Sequence, residues 1–201
     1  MAEFIGLVSS SIKVFMRELD SLRLLIINAM IPTTVFALYV ALINVFRSYA
    51  LSLTPITNSV VNALIINVIN LVGGLAFVVA FSSLIVSILS SVFIISGVIR
   101  GWRDELRGVY YLFGSRGNVL VHVTIILLLV VAYSYVLGIS VSITTALILL
   151  KLLTSLGLVP LMNYGVSVLY VISSSYFIPT ILAITYVLIG VLRVRGYEII
   201  P

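Results

Sequence analysis

Polar and charged positions fall in a few short clusters, and between them the chain is apolar over Leu24–Phe46, Val72–Ile99, Val119–Leu150 and Val166–Leu192. Each run exceeds the roughly 20 residues an α-helix needs to cross a hydrocarbon core. The pattern predicts an all-α integral membrane protein with four transmembrane helices. Pro32 in the first run and Pro179 in the fourth remove backbone N–H groups, so both helices are expected to loosen or kink there. The third run would extend about 48 Å at 1.5 Å per residue, well beyond a core of about 30 Å. It must tilt, protrude or break, most easily around Gly138, Ser140, Ser142, Thr144 and Thr145. Ser82, Ser83, Ser87, Ser90, Ser91 and Ser96 in the second run are residues of the kind that let membrane helices approach and hydrogen-bond.

Two shorter helices are predicted outside the spans. Phe4, Val8, Ile12, Phe15 and Leu19 recur at steps of three or four, with Ser9, Lys13, Arg17 and Asp20 on other faces. This is the pattern of an amphipathic helix lying on the inner leaflet. Between the second and third spans, Leu106, Val109, Tyr110 and Phe113 recur at helical spacing opposite Arg103 and Arg107, and Gly114 supplies a stop. One placement remains open: Val60–Leu71, with Asn62, Asn67 and Asn70, reads as an interfacial helix or as an extension of the second span, with a bend permitted at Gly73 and Gly74. The chain thus divides into an amphipathic segment (1–23), spans at 24–46, 72–99, 119–150 and 166–192, outer segments at 47–71 and 151–165, a central loop (100–118) and a tail (193–201).

Composition reinforces the membrane reading. The 201 residues are 62% hydrophobic and 8% charged, against roughly 25% charged in ordinary soluble domains. The first run lies behind a charged segment and lacks a cleavage pattern, so it is expected to stay in the mature protein. No cysteine is present, which excludes disulfides, thiolate catalysis and cysteine-ligated metals.

Charge then sets the topology. Of the eleven bases, all but Arg47 and Lys151 flank the spans on the side of the termini and central loop, as do all six acids. The positive-inside rule puts both termini and that loop in the cytoplasm, here of a multi-pass protein of the cell membrane. The net charge of +5 is spread over these flanks and lacks the dense basic and aromatic patterning of a nucleic-acid surface.

Several chemistries have no residues to carry them. No G-x-x-x-x-G-K-[ST] segment is present to cradle nucleotide phosphates, no H-E-x-x-H or G-x-S-x-G occurs, and no acid lies within a span. His122, the one histidine, stands near the inner end of the third span and reads as an interfacial or helix-bonded residue rather than a catalyst. No catalytic residue, cofactor or metal site is expected.

The central loop, Arg100-Gly-Trp-Arg-Asp-Glu-Leu-Arg-Gly-Val-Tyr-Tyr-Leu-Phe-Gly-Ser-Arg-Gly-Asn118, resembles that of the FtsX/MacB-like permeases of ABC transporters. Arg103, Asp104 and Glu105 stand for the family's charged stretch, and Gly108 to Ser115 for its short helix and Gly-Ser turn. The N-terminal amphipathic helix and the basic tail Gly190–Pro201 extend the likeness. Here the chain is a minimal form, without the large extracellular domain between the first two spans. The resemblance implies a non-catalytic permease subunit that pairs with a cytoplasmic ABC ATPase and a second copy or related chain, and that exports or releases a lipid-like or peptide cargo. It also implies an ATPase-coupling set of Arg103, Asp104, Glu105, Arg107, Tyr110, Tyr111, Phe113 and Gly114, the aromatics filling an apolar groove and the charges setting register. Two alternatives stand beside it: a loop that is a solvated topology anchor with aromatics in the headgroup belt, and a small four-helix scaffold that transports nothing.

Overall fold

A backbone in lipid has no water to bond, so a chain this apolar satisfies its peptide groups within helices. The computed structural model describes residues 2–53, 59–156 and 168–196. They form α1 (Ala2–Arg17), α2 (Leu19–Leu53), α3 (Ser59–Gly101), α4 (Arg103–Phe113), α5 (Arg116–Ser155), α6 (Val168–Ser175) and α7 (Phe177–Gly196). Four stretches are long and apolar enough to cross a membrane: Leu19–Ser48, Ile66–Gly101, Arg116–Ser155 and Val168–Gly196.

The helices outrun the apolar runs. Val60–Leu71 is continuous with the second span, since α3 begins at Ser59 and runs without a break through Gly73 and Gly74. Its 43 residues extend about 64 Å at 1.5 Å each. The third span likewise neither breaks nor bends out of helix at Gly138; α5 runs from Arg116 to Ser155. The tail residues 197–201 and most of the segment 151–165 lie outside the described residues.

The two prolines behave differently. Helix α2 passes through Pro32 uninterrupted. Proline cannot donate to the carbonyl four residues earlier, and here Ser87 Oγ donates to that Asn28 carbonyl at 2.7 Å. In the fourth span a single residue, Tyr176, departs from α-helical geometry between α6 and α7, just ahead of Pro179.

The chain packs as two compact units, each built from segments of several helices. One unit comprises residues 1–30, 86–135 and 178–201 and contains every acid and every base except Arg47 and Lys151. Its core is made by Leu7, Leu22, Ile99, Ile126, Leu182 and Tyr186, all buried. Helix α7 comes close to α5 at Gly190, where a Cβ would sit 2.5 Å from Leu127 Cδ1. Any larger residue there would require the Leu127 side chain to shift.

The other unit comprises residues 31–85 and 136–177. An aromatic cluster organises it, with Phe36 edge-on to Phe177 at 4.9 Å between ring centres and to Phe77 at 6.4 Å. Ser142, buried in α5, donates to the Thr34 carbonyl of α2 at 2.8 Å. This is the helix contact expected of a small hydroxyl residue in a span.

Candidate functional site

The central loop is helical over Arg103–Phe113, and its residues sort cleanly by face. Trp102, Leu106 and Val109 follow one another at helical spacing and are buried. On the opposite side lie Asp104, whose side chain is 97% exposed, and Tyr111 and Leu112, at 76% and 79%. Gly108 falls between them and leaves open space where a side chain would stand. The outward face is therefore apolar at one end, charged at the other and smooth in the middle.

The entry to α4 is nearly continuous with α3. Trp102 takes φ −89° and ψ 11°, yet its N–H still bonds Val98 O at 3.0 Å and its carbonyl still accepts from Leu106 N at 2.9 Å. The helical hydrogen-bond ladder runs through the elbow, so α4 moves with the end of the second span. The exit is a sharp reversal. Gly114 adopts the left-handed conformation at φ 66° and its N–H bonds Tyr110 O at 2.8 Å, closing α4 as an αL cap. Ser115 then opens α5, with its Oγ accepting from Asn118 N at 3.3 Å, and Asn118 Nδ2 reaches back to Phe113 O at 3.0 Å.

Helix α1 lies along the other side of α4. A Cβ at Gly6 would come 4.0 Å from the Phe113 ring, and Arg17 pairs with Glu105. Early α1 thus meets late α4 and late α1 meets early α4, so the two helices run antiparallel. Arg17 also donates to Glu18 Oε1 at 3.2 Å. Two buried polar atoms at the elbow, Trp102 Nε1 and Glu105 Oε2, make no hydrogen bond.

Of the residues singled out from the sequence, Asp104, Arg107 and Tyr111 share the outward side, with Arg107 3.9 Å from Asp104, and Arg103 is exposed at the start of α4. Glu105 and Phe113 face α1 instead, and Tyr110 is half-buried with its ring 5.9 Å from that of Tyr111. Gly114 is the stop that the sequence placed there. The reading missed Leu112. An apolar residue out of register with Leu106, Val109 and Phe113 was the available signal.

The amphipathic helix also differs from its expected register. Leu7, Ser11 and Phe15 are the buried positions of α1, while Phe4, Ile5, Ile12 and Met16 are exposed. The sequence pattern merged two apolar strips into one. Ser11 explains the burial: its Oγ donates to Leu7 O at 2.8 Å and lies 2.8 Å from Nδ1 of His122. Of the two roles expected of His122, interfacial or helix-bonded, the structure shows the second. Phe15 packs edge-on against Tyr133 at 6.1 Å.

A second polar cluster lies deeper in the same unit. Asn28 Nδ2 donates to Ser87 O at 2.9 Å and to Tyr186 Oη at 3.0 Å, and Asn28 Oδ1 accepts from Ser90 Oγ at 2.6 Å. Together with the Ser87 bond to the Asn28 carbonyl, this network ties α2, α3 and α7 where the proline leaves a carbonyl without its helical donor. Compared with family models, curated proteins and solved structures, the chain matches none.

Proposed function

We propose that the chain is the permease subunit of an ABC transporter, in which α4 is the lever that a separate cytoplasmic ATPase pushes. The observation that carries this reading is the attachment of α4: an unbroken hydrogen-bond ladder into one span, a tightly capped reversal into the next, and an apolar and charged face left outward. A nucleotide-driven movement reaches the membrane only through an element stiff enough not to absorb it, and a short helix locked at both ends meets that need. Tyr111 and Leu112 supply the apolar contact, and Arg103, Asp104 and Arg107 set its register. Glu105, Phe113 and Gly114 hold the lever in place. In this reading the charged flank faces the cytoplasm of the cell membrane, two permease chains assemble with two ATPases, and the cargo is lipid-like or a peptide.

The reading is tested by purifying the chain from its native membrane and asking whether a nucleotide-hydrolysing partner comes with it. The double variant Tyr111→Asp with Leu112→Asp should lose that partner and any stimulation of hydrolysis, while keeping its own thermal transition, because both side chains are exposed. A variant that keeps partner and stimulation overturns the lever. Partners retained without regard to nucleotide, with no coupled hydrolysis, would instead mark a scaffold.

A further inference from the structure

Helix α1 has a side that none of the preceding contacts uses. Between the strip that meets α5 and the strip that meets α4, Phe4, Ile5, Val8 and Ile12 line an open groove of about 480 Å³ with Ser9 and Lys13 on its rim. Ser9 and Lys13 stand one helical turn apart and are both exposed. Among the described residues Lys13 forms no ion pair and Ser9 no hydrogen bond, whereas Ser11, Ser21 and Ser134 each donate to a backbone carbonyl. The groove is thus apolar along its floor and carries at one edge a hydroxyl and an ammonium, with no carboxylate among the described residues that line it.

We propose that this groove binds an acidic phospholipid, its acyl chain against Phe4, Ile5, Val8 and Ile12 and its phosphate on Lys13 and Ser9. The chemistry favours that occupant over others. An amphipathic helix flanking a membrane span lies at the headgroup boundary, where acyl chains and phosphates are the nearest ligands. A free phosphate would leave the apolar floor uncovered. A zwitterionic headgroup brings its own ammonium close to Lys13, whereas a net anionic one does not. Because Gly6 and Arg17, on the face next to Lys13, meet Phe113 and Glu105, a lipid that fixes α1 also biases α4. This inference does not depend on an ATPase partner.

The full chain carries a single tryptophan, Trp102, at the α3–α4 elbow, which gives a readout independent of transport. The test places the purified chain in neutral detergent, adds phosphatidylglycerol or phosphatidylcholine, and measures retained lipid by native mass spectrometry alongside Trp102 emission. One basic residue at a membrane surface corresponds to about a fivefold preference for the anionic lipid. That preference should vanish in Lys13→Ala, shrink in Ser9→Ala and persist in Lys151→Ala, which removes a base from the far end of α5. Phosphatidylglycerol should also shift Trp102 emission in the native chain and leave it unchanged in Lys13→Ala. Equal retention of the two lipids, a preference that survives Lys13→Ala, or selective binding without an emission change overturns the proposal.

Discussion

The two ends of α4 solve the same problem in opposite ways. At the Trp102 end the chain stays helical through the elbow, with bonds from Trp102 N to Val98 O and from Leu106 N to Trp102 O. At the Gly114 end it reverses in one residue through a left-handed backbone, and Ser115 and Asn118 close the gap with side-chain bonds. A glycine flanks each end, but the two differ in kind. Gly114 has the positive φ that side chains resist, and Gly101 does not. The lesson is that one end keeps α4 continuous with the second span through the helical ladder, while the other depends on one backbone conformation to aim the third.

The largest effect that would break this contrast comes from Gly114→Val. A left-handed conformation costs an L-residue about 1–2 kcal/mol, more for a β-branched side chain, so the purified protein should unfold at lower temperature and α4 should fray at its C-terminal end. Hydrogen exchange along the central loop checks this; unchanged protection of Val109 to Phe113 would show that the αL cap does not hold the helix. Gly101→Ala should have the opposite sign. A Cβ there meets nothing within 4 Å, and replacing a helical glycine by alanine gains about 0.5–1 kcal/mol. A lowered transition temperature for Gly101→Ala would mean that the Trp102 elbow needs freedom after all.

The smallest expected effect lies in the link between α1 and α4. Arg17 and Glu105 are partly exposed, and ion pairs of that kind contribute about 0.2–1 kcal/mol. A double-mutant cycle of Arg17→Ala and Glu105→Ala, read by thermal unfolding at low and high salt, should give a coupling in that range that weakens as salt rises. A coupling near zero at low salt would leave the contact between Gly6 and Phe113 as what holds α1 on α4.

How much of this was legible beforehand varies from one element to the next. The spans were readable because lipid imposes the same demand on every residue of a run: an apolar side chain and an internally bonded backbone. Gly114 was readable too, since a glycine after a helical apolar pattern is the usual stop. The strip of α1 that packs inward was not. Ser11 is buried because His122, far away in sequence, offers it a bond, and no local periodicity contains that information. The same holds for Asn28, whose amide finds partners on two other helices, and for the contrasting fates of Pro32 and Pro179. A proline removes a donor in either place; at Pro32 a hydroxyl takes over the freed carbonyl, whereas Pro179 falls in the first turn of α7, where a missing N–H costs least.

The sequence by itself therefore determined that this chain lives in a membrane, how many helices are long and apolar enough to cross it, and where the charged flank and its short helix lie. These follow from solvation, which acts on each segment separately. Tertiary structure alone decided which side of α4 is outward, which strip of α1 is buried and how the carbonyl freed by Pro32 is satisfied. Those outcomes depend on whether a particular polar atom meets a partner from another helix, and that meeting exists only once the helices have packed.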